Sequence, residues 1–269
     1  MVTDILCQIH SMMGLMMVQP ILDFLCAAIA FALYLSFLKK AQKAFQSKKQ
    51  QRNEWNMNIK WFGQSCFRIT AENGTKIVMD PVKLFCYKLP EIDADIVTVS
   101  HNHSDHNNVG AVKGDFALIK DPGVFSQEGI DIKGIPTFHD NVSGAKRGKN
   151  IVYTFRIDGL NVCHCGDLGH RLSPEQIREI GKVDILFLPV GGRATLDAGG
   201  AAEVMKQLGP AVVIPMHYRT KAMGILGFIF GKVEPFITVS KKDVKSYKEL
   251  DINLSNIKNL PGIAVLQYD

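Results

Sequence analysis

No lysine or arginine precedes Lys39, and no small-residue cleavage pattern follows the first apolar run, so the chain lacks the marks of a secretory signal peptide. Its six cysteines (Cys7, Cys26, Cys66, Cys86, Cys163, Cys165) are scattered through apolar stretches without the dense spacing of a disulfide scaffold, which fits a reducing compartment. Cys163 and Cys165 flank His164, but alternate residues of a short strand share one face, and buried cysteine behaves as a small hydrophobe. Internal repeats are missing, which excludes solenoids and propellers. A basic surplus is missing from the larger part of the chain. Residues 1–56 hold six Lys or Arg against three acids, whereas the other 213 residues hold 25 against 23, so most of the net +5 sits in the N-terminal stretch. Binding nucleic acid through its phosphates calls for a basic stripe on the folded domain itself, so such a partner is disfavoured.

With 269 residues, 46% of them apolar, and 23 glycines, the chain can bury one large α/β domain and still carry an appendage. The appendage is residues 1–56. From Met12 to Leu38 the sequence is almost continuously apolar, interrupted by Pro20 and Asp23, and long enough to cross a hydrocarbon layer of about 30 Å. An uncleaved membrane-anchor helix is expected there. The basic linker that follows (Lys39, Lys40, Lys43, Lys48, Lys49, Arg52) should stay on the cytoplasmic side, against anionic headgroups. Two alternatives stand beside it: a hydrophobic helix packed on the domain or on another subunit of a homo-oligomer, or a true start at Met57, which would make the protein simply cytoplasmic.

From residue 57 to 269 the pattern shortens to apolar runs of four to seven residues punctuated by Gly, Pro, Asn and Asp, the mark of strands. Strands are predicted over 58–62, 66–70, 76–79, 95–100, 116–119, 151–157, 160–164, 184–188 and 211–215. Helices are predicted over 174–180 and 198–208, the first with Ser173 as N-cap and Pro174 behind it. Several strands are too apolar to face water on either side, which implies a layered α/β domain with helices covering a sheet.

The chemistry is concentrated in DIVTVSHNHSDH, residues 95–106. An apolar strand ends at Ser100, and beyond it His101, His103, Asp105 and His106 fall within six residues. In a loop such closely spaced side chains can converge on ions, whereas a continued strand would split them between two faces. Imidazole with carboxylate suits zinc, manganese or iron. His139 follows the segment 134–138, Asp167 the strand ending NVCHCG and His217 the apolar AVVIPM, each where a sheet edge delivers functional loops. Taken singly, each is equally well a turn or loop residue; their shared placement at strand ends sets them apart.

These segments resemble the metallo-β-lactamase superfamily, and within it the ascorbate-6-phosphate lactonase-like branch of metal-dependent hydrolases. The resemblance runs over nearly all of 57–269, through IKWFGQSCFRI, MDP at Asp80, HNHSDH, FHDNVSGAKRGKN at His139, HCGDLGH at Asp167, LPVGG at Gly191 and VIPMHYRT at His217. It implies a four-layer αββα sandwich with the site along one edge of the paired sheets. By the same resemblance His101, His103 and His139 hold one divalent ion, Asp105, His106 and His217 a second, Asp167 bridges them, and Asp80 steadies ligands by hydrogen bonding. Two such ions lower the pKa of a shared water and polarise the electrophile it attacks, with Asp105 or an outer histidine handling the proton.

His170, in the GDLGH motif, is read either as a proton donor or as a surface histidine. Lys146, Arg147, Lys149, Arg193 and Arg219 are read either as receivers of a substrate phosphate or carboxylate or as solvated basic residues. The substrate expected is a small ester, lactone or phosphorylated metabolite. Phosphodiester hydrolysis on phospholipid or nucleic acid is the alternative, and a metal-binding scaffold without catalysis is the reading from another class. Flavin-linked di-iron chemistry would call for Glu in place of His103.

Overall fold

A computed structural model describes residues 3–5, 8, 31, 33–40 and 42, and then 56–84, 86–87 and 89–268. The chain divides into two compact units, Met1–Trp55 and Asn56–Asp269. In the first, residues 33–40 are helical, with Leu33, Tyr34 and Phe37 exposed. The anchor expected over Met12–Leu38 falls for the most part outside the described residues. Among the described residues no helix is long and apolar enough to cross a membrane.

The second unit opens with β1 (Met57–Trp61), β2 (Phe67–Thr70), β3 (Lys76–Met79), β4 (Ile92–Asp93), β5 (Ile96–Thr98), β6 (Val112–Lys113) and β7 (Ala117–Ile119). It continues with β8 (Gly123–Gln127), β9 (Ile130–Phe138), β10 (Lys149–Ile157), β11 (Leu160–His164), β12 (Ile185–Pro189) and β13 (Val212–Met216). It closes with β14 (Val244–Tyr247), β15 (Glu249–Ile252) and β16 (Ile263–Leu266). A six-stranded sheet has the order β15-β1-β2-β3-β5-β7 and an eight-stranded sheet the order β14-β16-β13-β12-β11-β10-β9-β8, while β4 and β6 form a separate pair.

The two sheets face each other as a sandwich. Alternation along the strands assigns the faces: Ile77, Met79 and Ile96 enter the core shared with the eight-stranded sheet, whereas Val78 and Val97 belong to a second core on the opposite face. The helices Pro174–Ile180 and Ala198–Leu208 pack on the eight-stranded sheet, and Glu234–Ser240 packs on the second of them. Ser173 caps the first through a reciprocal bond pair with Gln176, as its sequence predicts. Among the described residues of this unit, the four-layer expectation is met by α-helices on that side only. Among the described residues, the outer face of the six-stranded sheet is covered by the 81–90 loop and by 3-10 turns, with Val82, Tyr87 and Met223 buried against it. The reason is local: residues 81–90 carry Pro81 and Pro90 and no 3.6-residue apolar period.

Parallel pairing aligns the strand ends that matter. β3 pairs with β5, β11 with β12 and β12 with β13, so the residues after β3, β5, β11 and β13 emerge on one edge of the sandwich. Tyr153 of β10 ties the sheets together there, its buried hydroxyl reaching Val99 O and Ile119 O, both at 3.3 Å.

Candidate metal centre

Asp80, directly after β3, has φ of 45°, a left-handed conformation that turns its side chain under the loop following β5. Its carboxylate accepts the Ser100 N–H at 2.7 Å and the Ser100 hydroxyl at 2.6 Å, and lies 2.7 Å from His106 Nδ1. Both ends of the HNHSDH loop are therefore pinned by one buried residue. Because the Ser100 hydroxyl gives its proton to Asp80, it accepts from His101 Nδ1 at 2.9 Å, leaving a lone pair on His101 Nε2, which faces inward 3.0 Å from His103 Nδ1.

Asp167 is the centre of the cluster. Its Oδ2 lies 3.0 Å from His139 Nε2, 3.1 Å from His217 Nε2, 3.2 Å from His106 Nε2 and 3.9 Å from His101 Nε2. The Asp167 N–H donates to Asn150 Oδ1 at 2.9 Å, and Asn150 donates to Thr137 Oγ1 and Cys165 O, so the turn that presents the carboxylate is held from β10. His217, after β13, has φ of 53°, and its N–H donates to Gln64 O at 3.2 Å, while Gln64 Nε2 donates to Asp105 Oδ2 at 3.1 Å. A Cβ on Gly191 would stand 2.0 Å from His217 O, so only glycine lets the β12 end pass beneath that histidine.

All seven expected ligands thus meet in one place, drawn from segments up to 116 residues apart. Ligand atoms of His101, His103 and His139 lie within 4.8 Å of one another, as do those of Asp105, His106 and His217, and those of His101, His106 and Asp167. The residues fit a cation. His106 Nε2 and Asp167 Oδ1 are buried without a hydrogen-bond partner, and imidazole nitrogens crowd one carboxylate oxygen at close range, a set of unmet acceptors that a divalent ion would satisfy.

The ionisation pattern follows from this crowding. Burial pushes the Asp167 carboxyl up, but His106 and His217 outweigh it and hold it well below the usual range. Burial opposes the charged form of His106, yet Asp167 and Asp80 raise it well above an ordinary histidine. Burial, with His106 beside it, draws His101 down to about 3. A cation at Nε2 would take the proton's place on His106, with Nδ1 still bound to Asp80.

The remaining site candidates divide. Arg147 lines a cavity of about 660 Å³ whose walls also include His101, His103, Lys120, Phe138 and Lys149, with one acid, Asp121. Arg219 lines a different cavity, its guanidinium 3.9 Å over the Phe228 ring. Arg193 is exposed in the turn after β12 with φ of 57°. His170 stands outside the ligand groups, and both its ring nitrogens are engaged by backbone: Nε2 accepts from Phe138 N–H at 3.1 Å and Nδ1 donates to Arg171 O at 2.7 Å. That bonding leaves no nitrogen for a substrate proton, so His170 is a clamp between β9 and the 167–171 turn. His164 is buried and bonded to Ser65 O at 3.0 Å, a structural histidine as its strand position implies.

Four contributors went unread in the sequence: Gln64, Lys120, Asp140 and Asn150. Asp140 accepts the N–H groups of Val142, Gly144, Lys146 and Arg147 at 2.7–2.9 Å, so one carboxylate shapes the whole loop that presents Arg147. Burial acts against its ionisation, but the donors from Arg147, Val142, Gly144 and Lys146 draw it down to about 2. Gln64, Asp140 and Asn150 lie inside or beside the resembling segments, and that adjacency was the available signal.

A layered α/β sandwich with a histidine and aspartate cluster at one sheet edge defines the metallo-β-lactamase class of fold. The β-lactamase superfamily domain matches residues 58–217, and the chain belongs to the metallo-β-lactamase superfamily, among its metal-dependent hydrolases. It is 30% identical over 192 residues to a UPF0173 metal-dependent hydrolase of Thermoplasma acidophilum, covering 61% of this chain and 84% of that one. It is 39% identical to a Thermotoga maritima protein assigned to the zinc-dependent hydrolases of the superfamily, with a TM-score of 0.65 over 78% of this chain and 98% of the other. The diiron β-hydroxylase CmlA of Streptomyces venezuelae shares the fold at 17% identity, with a TM-score of 0.52 over 79% of this chain and 53% of that one.

Proposed function

We propose that the chain hydrolyses a small anionic ester, lactone or phosphorylated metabolite at a dinuclear centre, in the manner of the ascorbate-6-phosphate lactonase-like branch. The observation that carries this reading is the position of Asp167 Oδ2, within 3.0–3.2 Å of the Nε2 atoms of three histidines from separate strand ends. His101, His103 and His139 would hold one ion, Asp105, His106 and His217 the other, and Asp167 both. The imidazole-rich set suits zinc, with manganese or iron as substitutes. Divalent ions bound there would make hydroxide available near neutral pH and polarise the electrophile.

The protein residues supply orientation and charge. Asp80 and Ser100 fix the rings of His106 and His101, and Gln64 bonds to Asp105, which would accept a proton from the nucleophile. Lys120, Arg147 and Lys149 form no ion pair among the described residues, so their charges are free to seat a phosphate or carboxylate beside His101 and His103. Anchoring through Met12–Leu38, with the hydrolase unit facing the cytoplasm, rests on the apolar run and the basic residues after it. The second reading, phosphodiester cleavage on phospholipid, is favoured by the exposed Ile225, Phe228 and Ile229 close after His217.

The test is to purify the full chain, count its metals by mass spectrometry, and assay lactone, thioester and bis-phosphodiester probes with and without chelator. Chelator-sensitive turnover of an anionic lactone or ester, lost in Asp105→Ala, supports the first reading. Turnover confined to the diester selects the second. Bound metal with no turnover of any probe overturns both in favour of a scaffold.

A further inference from the structure

The segment after His217 is a loop closed at its base. Arg219 N–H donates to Gly231 O at 2.8 Å, and Gly231 N–H donates to Gly191 O at 2.6 Å. The hydroxyls of Tyr87 and Thr220 meet at 2.8 Å, Met223 is buried in the core over the six-stranded sheet, and the Phe230 ring meets His217 edge-on at 5.2 Å. The inward side chains are engaged, and the outward ones stay exposed to water even where the Arg219 guanidinium lies over Phe228. Ile225, Phe228 and Ile229 are 83%, 62% and 55% exposed. A loop anchored at so many points holds these side chains in water as a feature of its fold, and a large apolar tip held in water marks a contact surface.

The charges around the tip identify the kind of surface it meets. Arg219, Lys221 and Lys232 line the cavity of about 580 Å³ at its flank, with Glu234 the one acid among them, and the Arg219 guanidinium lies over the Phe228 ring. An apolar tip inside a cationic collar is how a segment dips into the boundary between headgroups and acyl chains of an anionic bilayer. Packing against the same lip of a second copy would set one cationic collar against another, and the chain's own apolar N-terminal stretch offers only Asp4 and Asp23 as acids within residues 1–38.

We propose that residues 219–232 are an interfacial docking lip, which inserts Ile225, Phe228 and Ile229 into an anionic lipid surface while Arg219, Lys221 and Lys232 contact the headgroups. The enzyme would then work at a membrane surface whichever bond it cleaves, with His217 two residues from the point of contact.

The full chain carrying Phe228→Trp is mixed with phosphatidylcholine–phosphatidylglycerol vesicles, with and without brominated acyl chains, and compared with the parent chain to subtract Trp55 and Trp61. A blue shift and bromine quenching of the introduced tryptophan are expected, lost when Ile225→Asp and Ile229→Asp are added. Quenching should weaken several-fold in Lys221→Ala/Lys232→Ala and on phosphatidylcholine alone. The proposal is overturned if the chain does not bind vesicles, or binds them while the tryptophan stays unquenched. It is also overturned if the tryptophan is already shielded from acrylamide without lipid, which would mean that a second copy or the N-terminal stretch covers the lip.

Discussion

Asp80 Oδ2 stands 2.7 Å from His106 Nδ1, and this contact sets the direction in which the other nitrogen of that ring points, toward Asp167 at 3.2 Å. A ligand imidazole held from behind by a carboxylate keeps one tautomer and one orientation, and loss of such a partner typically weakens metal binding about 10–100-fold. Asp80→Asn keeps the shape but can place an amide nitrogen against His106, so a loss of zinc affinity in that range is expected by competition titration. Asp80→Ala should lose more, because the Ser100 N–H and hydroxyl are orphaned as well. If both variants bind zinc as the parent does, the ring is held by other means.

The loop from Asp140 to Gly148 offers a different kind of test. Asp140 touches none of the ligand side chains; it acts on the loop backbone, and through it on Arg147. Asp140→Ala is expected to leave metal content near the parent value and to lower kcat/KM on anionic probes by up to about 100-fold, the cost of misplacing a binding group by about an ångström. Neutral probes of the same bond type should be less affected. An equal loss on both would mean that the loop shapes the metal centre rather than the anion site.

The density of ligands in HNHSDH made the site legible, because three histidines and an aspartate seldom gather within six residues unless they bind a metal. The partners of that loop were harder to read. Gln64 and Asp105 are 41 positions apart and meet only once β1 and β5 share a sheet, and Lys120 enters the cavity only because β7 lies beside β5. The central strands, buried on both faces, announced themselves as short apolar runs. Strands β8 and β14 did not, since at the sheet edge they expose nearly every residue and show no alternation. The first half of β9 was obscured by Lys133 and Gly134, and helix Glu234–Ser240 by its β-branched Ile237, Thr238 and Val239, which favour strand locally and are overruled by packing.

Gly191 makes backbone crowding testable. A methyl group there would meet His217 O at 2.0 Å, and neither partner can yield cheaply, because His217 already has a left-handed backbone and its N–H is bonded to Gln64. Gly191→Ala should displace His217, lowering metal content and thermal stability together. A variant that melts like the parent and still binds its full metal complement would show that the β12 end has room to shift.

Cys66 gives the fold a defined alkaline limit. Burial pushes its thiol up to about 12 from an ordinary 9.0, with Asp80 adding to the effect and a backbone bond at Val82 opposing it. In the unfolded chain the thiol ionises above its ordinary value while the folded chain keeps it protonated. The stability tied to Cys66 is therefore fully present below about pH 9 and is lost progressively as the pH rises toward 12. A difference of that size corresponds to roughly 4 kcal/mol, a large share of the stability of an ordinary domain. Cys66→Ala removes the titrating group, so denaturant midpoints followed from about pH 8.5 upward should fall less steeply for the variant than for the parent. Parallel slopes would mean that the thiolate is accommodated in the folded chain and that alkaline unfolding is governed by lysine and tyrosine.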